Sequence, residues 1–217
     1  MMLRRPYVLL LLALCMLPLP VRAADMPEPD YSQLSSAELE RVFFDKLMDG
    51  DRVAYRNMNL LVWEPHFDEL VSRRFGCLRS NASGNADKGW TLADDILVML
   101  GGPPNDFRIV DDRYVVGSAC RHHSCDEKSI MIADLRERQI AFGLLHYVKW
   151  APAGPKYWDT PVNFDGYLSV FVGANSRGSF RRVVFRIAKE WAAPFLQRTP
   201  PLNFYVVNCY GPSDPLH

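Results

Sequence analysis

The cysteines constrain the fold of this chain more than any other feature. Cys15 lies inside an apolar N-terminal run, and four further cysteines follow it: Cys77, Cys120, Cys125 and Cys209. An even set of cysteines in an exported chain is typical of a disulfide framework, and four of them allow three pairings. Cys120 and Cys125 are near enough in sequence to close a small ring. Cys77 and Cys209 would then join the two ends of the domain, a closure that contributes on the order of 4–5 kcal/mol in loop entropy.

The first 23 residues indicate export. Two arginines precede an apolar run over residues 7–17, and prolines then break this run before Ala23. This order is that of a secretory signal peptide, so we expect residues 1–23 to be removed and the protein to be periplasmic or secreted. The apolar run is too short to span a bilayer, and no membrane association is expected after cleavage.

The composition is that of an ordinary globular protein with a substantial core. Of its 217 residues, 48% are hydrophobic and 23% are charged. The charged residues divide into 25 basic and 25 acidic ones. This neutrality argues against nucleic-acid binding, which needs a concentrated basic surface.

Apolar residues recur at helical spacing in the first half of the chain. A capping box at Ser35 and Glu38 begins the first helix. The predicted helices cover residues 35–49, 65–75 and 92–100, and the last of them should stop at Gly101-Gly102-Pro103-Pro104. We describe residues 24–90 as a helical N-terminal extension that ends in an exposed loop at 79–89.

From residue 107 the apolar pattern changes to a period of two, which is typical of strands. The predicted strands cover residues 107–110, 113–119, 129–135, 140–150, 167–172 and 202–209, with a helix at 180–191 and a loop at 151–161. Asp111 and Asp112 form the turn of a hairpin. We therefore predict an α+β domain over residues 91–217, with an antiparallel β-sheet and flanking helices.

The segment Cys120-Arg121-His122-His123-Ser124-Cys125 lies between two of these strands. It holds two of the five histidines of the chain. A ring of this size, once stapled by a disulfide, loses much of its backbone freedom and can present side chains to a partner at little further ordering cost.

Several roles for this segment compete. Cysteine and histidine are zinc ligands, but four ligands within six residues cannot easily surround one ion. The spacing is not that of a Cys-x-x-Cys redox motif, and Asp126 stands where covalent haem attachment needs a histidine. A purely structural hairpin with solvated histidines is the simplest alternative. No metal site and no cofactor are predicted.

The residues around the loop resemble the inhibitor of vertebrate lysozyme (Ivy) family. The resemblance covers Leu97–Gly102, Tyr114–Cys120, the loop itself and Lys128–Ala133. That family has a Ser-Ala-Cys strand end followed by a Cys-x-x-His-x-Cys loop between two sheet strands, and this chain has both. Arg121, His122 and Ser124 stand where the family usually has Lys, Pro and Asp.

This resemblance implies an exported bacterial inhibitor whose stapled loop protrudes and plugs the active-site cleft of c-type lysozymes. It makes Cys120 and Cys125 the staple and His123 the inserted residue, with a lysozyme or a related muramidase, such as a lytic transglycosylase, as the partner. Homodimerisation is left open. The resemblance favours His123 over His122. His122 is adjacent and could substitute, but neighbouring side chains are expected to diverge in an extended turn.

An envelope hydrolase and a non-inhibitory envelope binding module are the alternative functions. The chain lacks a Gly-x-Ser-x-Gly motif, a His-Glu-x-x-His motif and a phosphate-cradling glycine loop. Its acid pairs, Asp94-Asp95 and Asp111-Asp112, are interpreted as a helix face and a hairpin turn. No catalytic residue is therefore assigned.

Overall fold

The computed structural model describes residues 29–80, 89–150, 162–196 and 202–209. The predicted signal peptide at 1–23 and the predicted loop at 151–161 lie outside the described residues, as does most of the predicted loop at 79–89. No helix in the described ranges combines the length and the apolar character that crossing a membrane requires.

Four helices and a small ribbon precede the main sheet. They are α1 (Ser36–Leu47), β1 (Met48–Asp49), β2 (Arg52–Val53), α2 (Met58–Val62), α3 (Pro65–Phe75) and α4 (Leu92–Leu100). The predicted capping box is confirmed: Ser35 Oγ accepts from the Glu38 amide at 3.3 Å, and Glu38 Oε2 accepts from the Ser35 amide at 2.9 Å. Helix α4 begins with the same device at Thr91 and Asp94. Helices α1, α3 and α4 were predicted; α2 was not.

The main sheet has six strands in sequential order. They are β3 (Arg108–Val110), β4 (Tyr114–Arg121), β5 (Ser124–Asp134), β6 (Gln139–Val148), β7 (Val162–Gly173) and β8 (Leu202–Val207), with α5 (Gly178–Ala192) between the last two. Neighbours from β3 to β7 are antiparallel, which confirms the predicted α+β class. The β7–β8 pair is parallel, because α5 carries the chain back to the end where β7 began.

Both faces of this sheet are covered. Phe142 on β6 packs edge-on against Phe67 and Phe75 of α3, with ring centroids 6.2 and 5.3 Å apart. Residues of β6 that alternate with it, such as Ala141 and Leu145, belong to a second core on the α5 side. The central strands are therefore buried on both faces, and only their ends reach solvent.

A disulfide joins the helical layer to the edge strand. Cys77, just after α3, is bonded to Cys209, just after β8, and their Cα atoms are 5.3 Å apart. The bond closes 132 residues of chain. The structure thus contains the long-range pairing that the cysteine spacing allowed.

The acid pairs have structural roles, as interpreted from the sequence. Asp111 and Asp112 have φ angles of 53° and 48°, as both central residues of a type I′ hairpin turn require. Asp94 caps α4, and the buried Asp95 accepts from Trp90 Nε1 at 2.9 Å and from the hydroxyl of Ser80.

The turn between β5 and β6 is organised by a buried carboxylate. Asp134 accepts from Arg113 Nε at 2.8 Å and from its terminal nitrogen at 2.6 Å. Its Oδ1 also accepts from the amides of Arg136 and Glu137, at 3.0 and 3.2 Å. One side chain therefore holds both the neighbouring strand and the turn.

We expect Asp134→Ala to destabilise the protein by about 3 kcal/mol, because it leaves Arg113 and two amides without their acceptor. Urea unfolding at neutral pH measures the change. Asp45→Ala is the control, since it breaks an exposed ion pair with Arg138 and should change stability by no more than about 1 kcal/mol. Equal effects of the two variants would contradict this role for Asp134.

Candidate functional site

The loop at 120–125 is the end of the β4–β5 hairpin. Strand pairing continues to Arg121 and Ser124, so that His122 and His123 alone form the turn. The register shifts between Cys120, which pairs with Lys128, and Arg121, which pairs with Ser124. This irregularity leaves three extra residues, 125–127, on β5, and strand bulges of this kind bend a hairpin locally.

The disulfide crosses this irregularity. Cys120 and Cys125 are bonded, with their Cα atoms 4.7 Å apart. Because the two sulfurs are bonded to each other, neither is available as a thiolate nucleophile or metal ligand. In the ranges that the structure describes, no group of three or more His, Cys, Asp and Glu side chains is arranged to hold a metal ion.

The tip of the loop presents two imidazoles. His122 and His123 are both exposed, and their ring centroids lie 3.9 Å apart at an angle of 61°. The expectation that these side chains diverge is wrong. His123 has a φ of 62°, so the chain reverses direction at this residue rather than remaining extended, and the two rings meet edge to face.

The base of the loop is closed by an ion pair. Arg121 Nη1 lies 2.6 Å from Glu127 Oε2, and the Glu127 side chain is only 6% exposed. A charged hydrogen bond of this kind is stronger than one between neutral groups and compensates the burial of the carboxylate. Glu127 also balances the charge of Arg121, so the two imidazoles are the groups that the tip offers to a partner.

A second segment supports the loop from outside. Pro103 O accepts from the Cys120 amide at 3.1 Å, and Ser118 O accepts from the Asn105 amide at 2.8 Å. Asn105 Nδ2 also donates to Ser118 Oγ at 2.9 Å. The sequence identified the Gly-Gly-Pro-Pro run only as a helix stop; nothing in the local pattern showed that it pairs with the end of β4.

A cleft of about 180 Å³ lies beside the loop, between the sheet and the residues that follow α5. Lys128 donates to the Cys125 carbonyl and lies 4.7 Å from the centroid of the Phe195 ring. The pKa of Tyr147 is raised, first by burial and then by the nearby charge of Asp126. The flank of the loop therefore combines charged and aromatic groups that sequence reasoning did not single out.

The other described histidines are different in kind. His66 and His146 are buried, and burial lowers the pKa of each to about 4. His66 packs against Tyr31, with ring centroids 5.6 Å apart. Glu64 lies 3.5 Å from its Nδ1, but it is partly exposed and solvent screens it, so burial dominates. Within the described ranges, only His122 and His123 offer an imidazole to a partner.

No family model, curated protein or solved structure matches this chain. Any function assigned to the loop therefore rests on the sequence and geometry of the loop and of the residues around it. The structure brings all six predicted residues, Cys120 to Cys125, together in one exposed hairpin end. It places Cys77 and Cys209 elsewhere, at the edge of the sheet.

The buried histidines predict acid sensitivity. The unfolded chain takes up these protons near pH 6.5, whereas the folded protein resists them down to about pH 4. The contribution of these neutral histidines to the free energy of unfolding is therefore fully present above about pH 6.5. It falls by on the order of 2–3 kcal/mol per histidine as the pH drops to about 4.

Thermal unfolding between pH 7 and pH 4.5 measures this slope. His66→Phe keeps an aromatic ring in a site where neither ring nitrogen has a hydrogen-bond partner, and it should remove about half of the pH dependence. An unchanged slope in this variant would show that His66 does not carry the linkage.

Proposed function

We propose that this chain is an exported inhibitor of c-type lysozymes that inserts its 120–125 loop into the active-site cleft. The observation that carries the proposal is the exposed imidazole of His123 at the tip of a two-residue turn stapled by Cys120 and Cys125. The resemblance to the Ivy family supports the same function, because the matching residues surround this loop.

The shape of the loop fits a cleft. The turn is as short as a hairpin allows, and only His122 and His123 lie beyond the last strand pair. The disulfide and the Arg121–Glu127 ion pair restrain the loop before any partner binds. A restrained loop has less conformational entropy to lose on binding, which favours affinity.

The chemistry of the tip fits a muramidase site. Such a cleft holds one protonated and one ionised carboxyl group. A neutral imidazole has one acceptor and one donor nitrogen, so it can accept from the acid and donate to the carboxylate. It would thus satisfy both groups without bringing a net charge into a partly dry site.

His123→Ala tests the inserted residue. Truncating a buried anchor costs about 2–4 kcal/mol, so we expect binding to a c-type lysozyme to weaken roughly 30- to 1000-fold. Calorimetry and inhibition of cell-wall lysis measure this change. His122→Ala should cost less, and Arg136→Ala, in the turn at the far end of β5, should cost nothing. Unchanged inhibition by the His123→Ala protein would refute the assigned role.

The staple is tested by replacing both of its cysteines with serine. The Cys120→Ser/Cys125→Ser protein should remain folded and bind lysozyme more weakly, because its loop must be ordered on binding. The Cys77→Ser/Cys209→Ser protein is the matched control: it should lose stability but keep the affinity of its folded fraction. Equal affinity of the first variant and the wild type would show that pre-organisation contributes little.

The class of function is tested with the purified mature protein. Dose-dependent, saturable inhibition of c-type lysozyme is the expected result. Capture of a lytic transglycosylase from the same cell, without lysozyme binding, would redirect the proposal to that enzyme. Turnover of a cell-wall or peptide substrate by the protein itself would overturn it in favour of an envelope hydrolase.

A further inference from the structure

We propose that Gly102 is a positioning residue: because it has no side chain, the main chain of residues 120–122 of the loop can pack directly against it. The effect on lysozyme binding rests on the function proposed above, whereas the effect on loop geometry does not.

The main chain of the loop packs directly on Gly102, which is buried. A Cβ atom at this position would lie 2.7 Å from the His122 amide nitrogen and 2.8 Å from the Arg121 carbonyl carbon. It would also overlap the Cys120 carbonyl oxygen. All three are backbone atoms, so no side-chain rotation relieves the contact, and the loop itself has to move.

Space, rather than backbone conformation, requires glycine here. The described glycines with positive φ are Gly50, Gly89 and Gly166, and Gly102 is not among them. Other crowded glycines of the sheet face side chains: Gly117 faces Phe107 and Met58, and Gly143 faces Ile130. Side chains can adjust to an added methyl group more readily than a stapled main chain.

Different contacts restrain the two halves of the loop. Gly102 and the Pro103 carbonyl hold residues 120–122 from outside the hairpin. The disulfide ties Cys125, on the other half, to this fixed half. A side chain at position 102 should therefore displace the amide that leads into the tip, and with it both imidazoles.

Gly102→Ala tests this role, with Gly101→Ala as the matched control. Gly101 has φ and ψ of −86° and −5°, which any residue adopts. Its added Cβ would meet only the Leu97 and Val98 carbonyl oxygens, at 3.3 and 3.6 Å. We expect Gly102→Ala to weaken lysozyme binding at least about tenfold, and Gly101→Ala to change it less than about twofold.

Proton NMR of the free protein separates positioning from general destabilisation. In Gly102→Ala the imidazole signals of His122 and His123 should shift, while those of the buried His66 and His146 stay in place. Unchanged loop signals together with unchanged affinity would overturn the proposal. If the wild type does not bind lysozyme, the proposed function fails, and the shift of the loop signals still decides the role of Gly102.

A second measurement decides the proposal even if Gly102→Ala does not fold. In the Cys120→Ser/Cys125→Ser protein, hydrogen exchange at the amide of position 120 should remain slow, because Gly102 and Pro103 still hold that half of the loop. The backbone chemical shifts of residues 124 and 125 should change instead, since the staple that tied this half of the loop is gone. Fast exchange at position 120 in this variant would show that the staple alone orders the loop.

Discussion

The antiparallel ladder between β4 and β5 determines where every residue of the loop lies. Its register runs from Tyr114↔Asp134 to Ala119↔Ser129 without interruption. Because side chains alternate between the faces, a slip of one residue would exchange the core facing α3 and α4 for the core facing α5. The two cores are built from different sets of buried apolar side chains, so a slip would mismatch both of them. The loop therefore extends from a ladder whose register is fixed from two sides.

Local signals in the sequence predicted much of this framework. The capping box at Ser35, the helix at 92–100 and the Asp111-Asp112 turn depend on neighbouring residues, and each lies where predicted. Errors occur where pairing with a distant strand decides the outcome. Strand β5 begins at Ser124 rather than at residue 129, because Ser124 pairs with Arg121 across the turn and Lys128 pairs with Cys120. Helix α2 has five residues, too few to show a period.

The same distinction between local signals and distant contacts applies to the candidate site. Cysteine spacing and the paired histidines are visible in the sequence, so the six residues of the loop could be selected from it. The contacts that shape the loop are not visible there. In the sequence Glu127 is one more charge before the predicted strand at 129–135, yet it is the buried partner of Arg121. Gly102 reads as a helix stop, and its close approach to His122 requires knowledge of which segment lies beside β4.

These contacts bear on the departures of this loop from the family that it resembles. Proline at position 122 would restrain the backbone by itself, and His122 does not. Here the restraint comes from outside the ring: the Arg121–Glu127 pair closes the base, and the Gly102 contact fixes the approach to the tip. A guanidinium suits this pair better than an ammonium, because its planar donors keep a fixed geometry toward a carboxylate. The Arg121–Glu127 pair thus restrains the loop at the position next to His122.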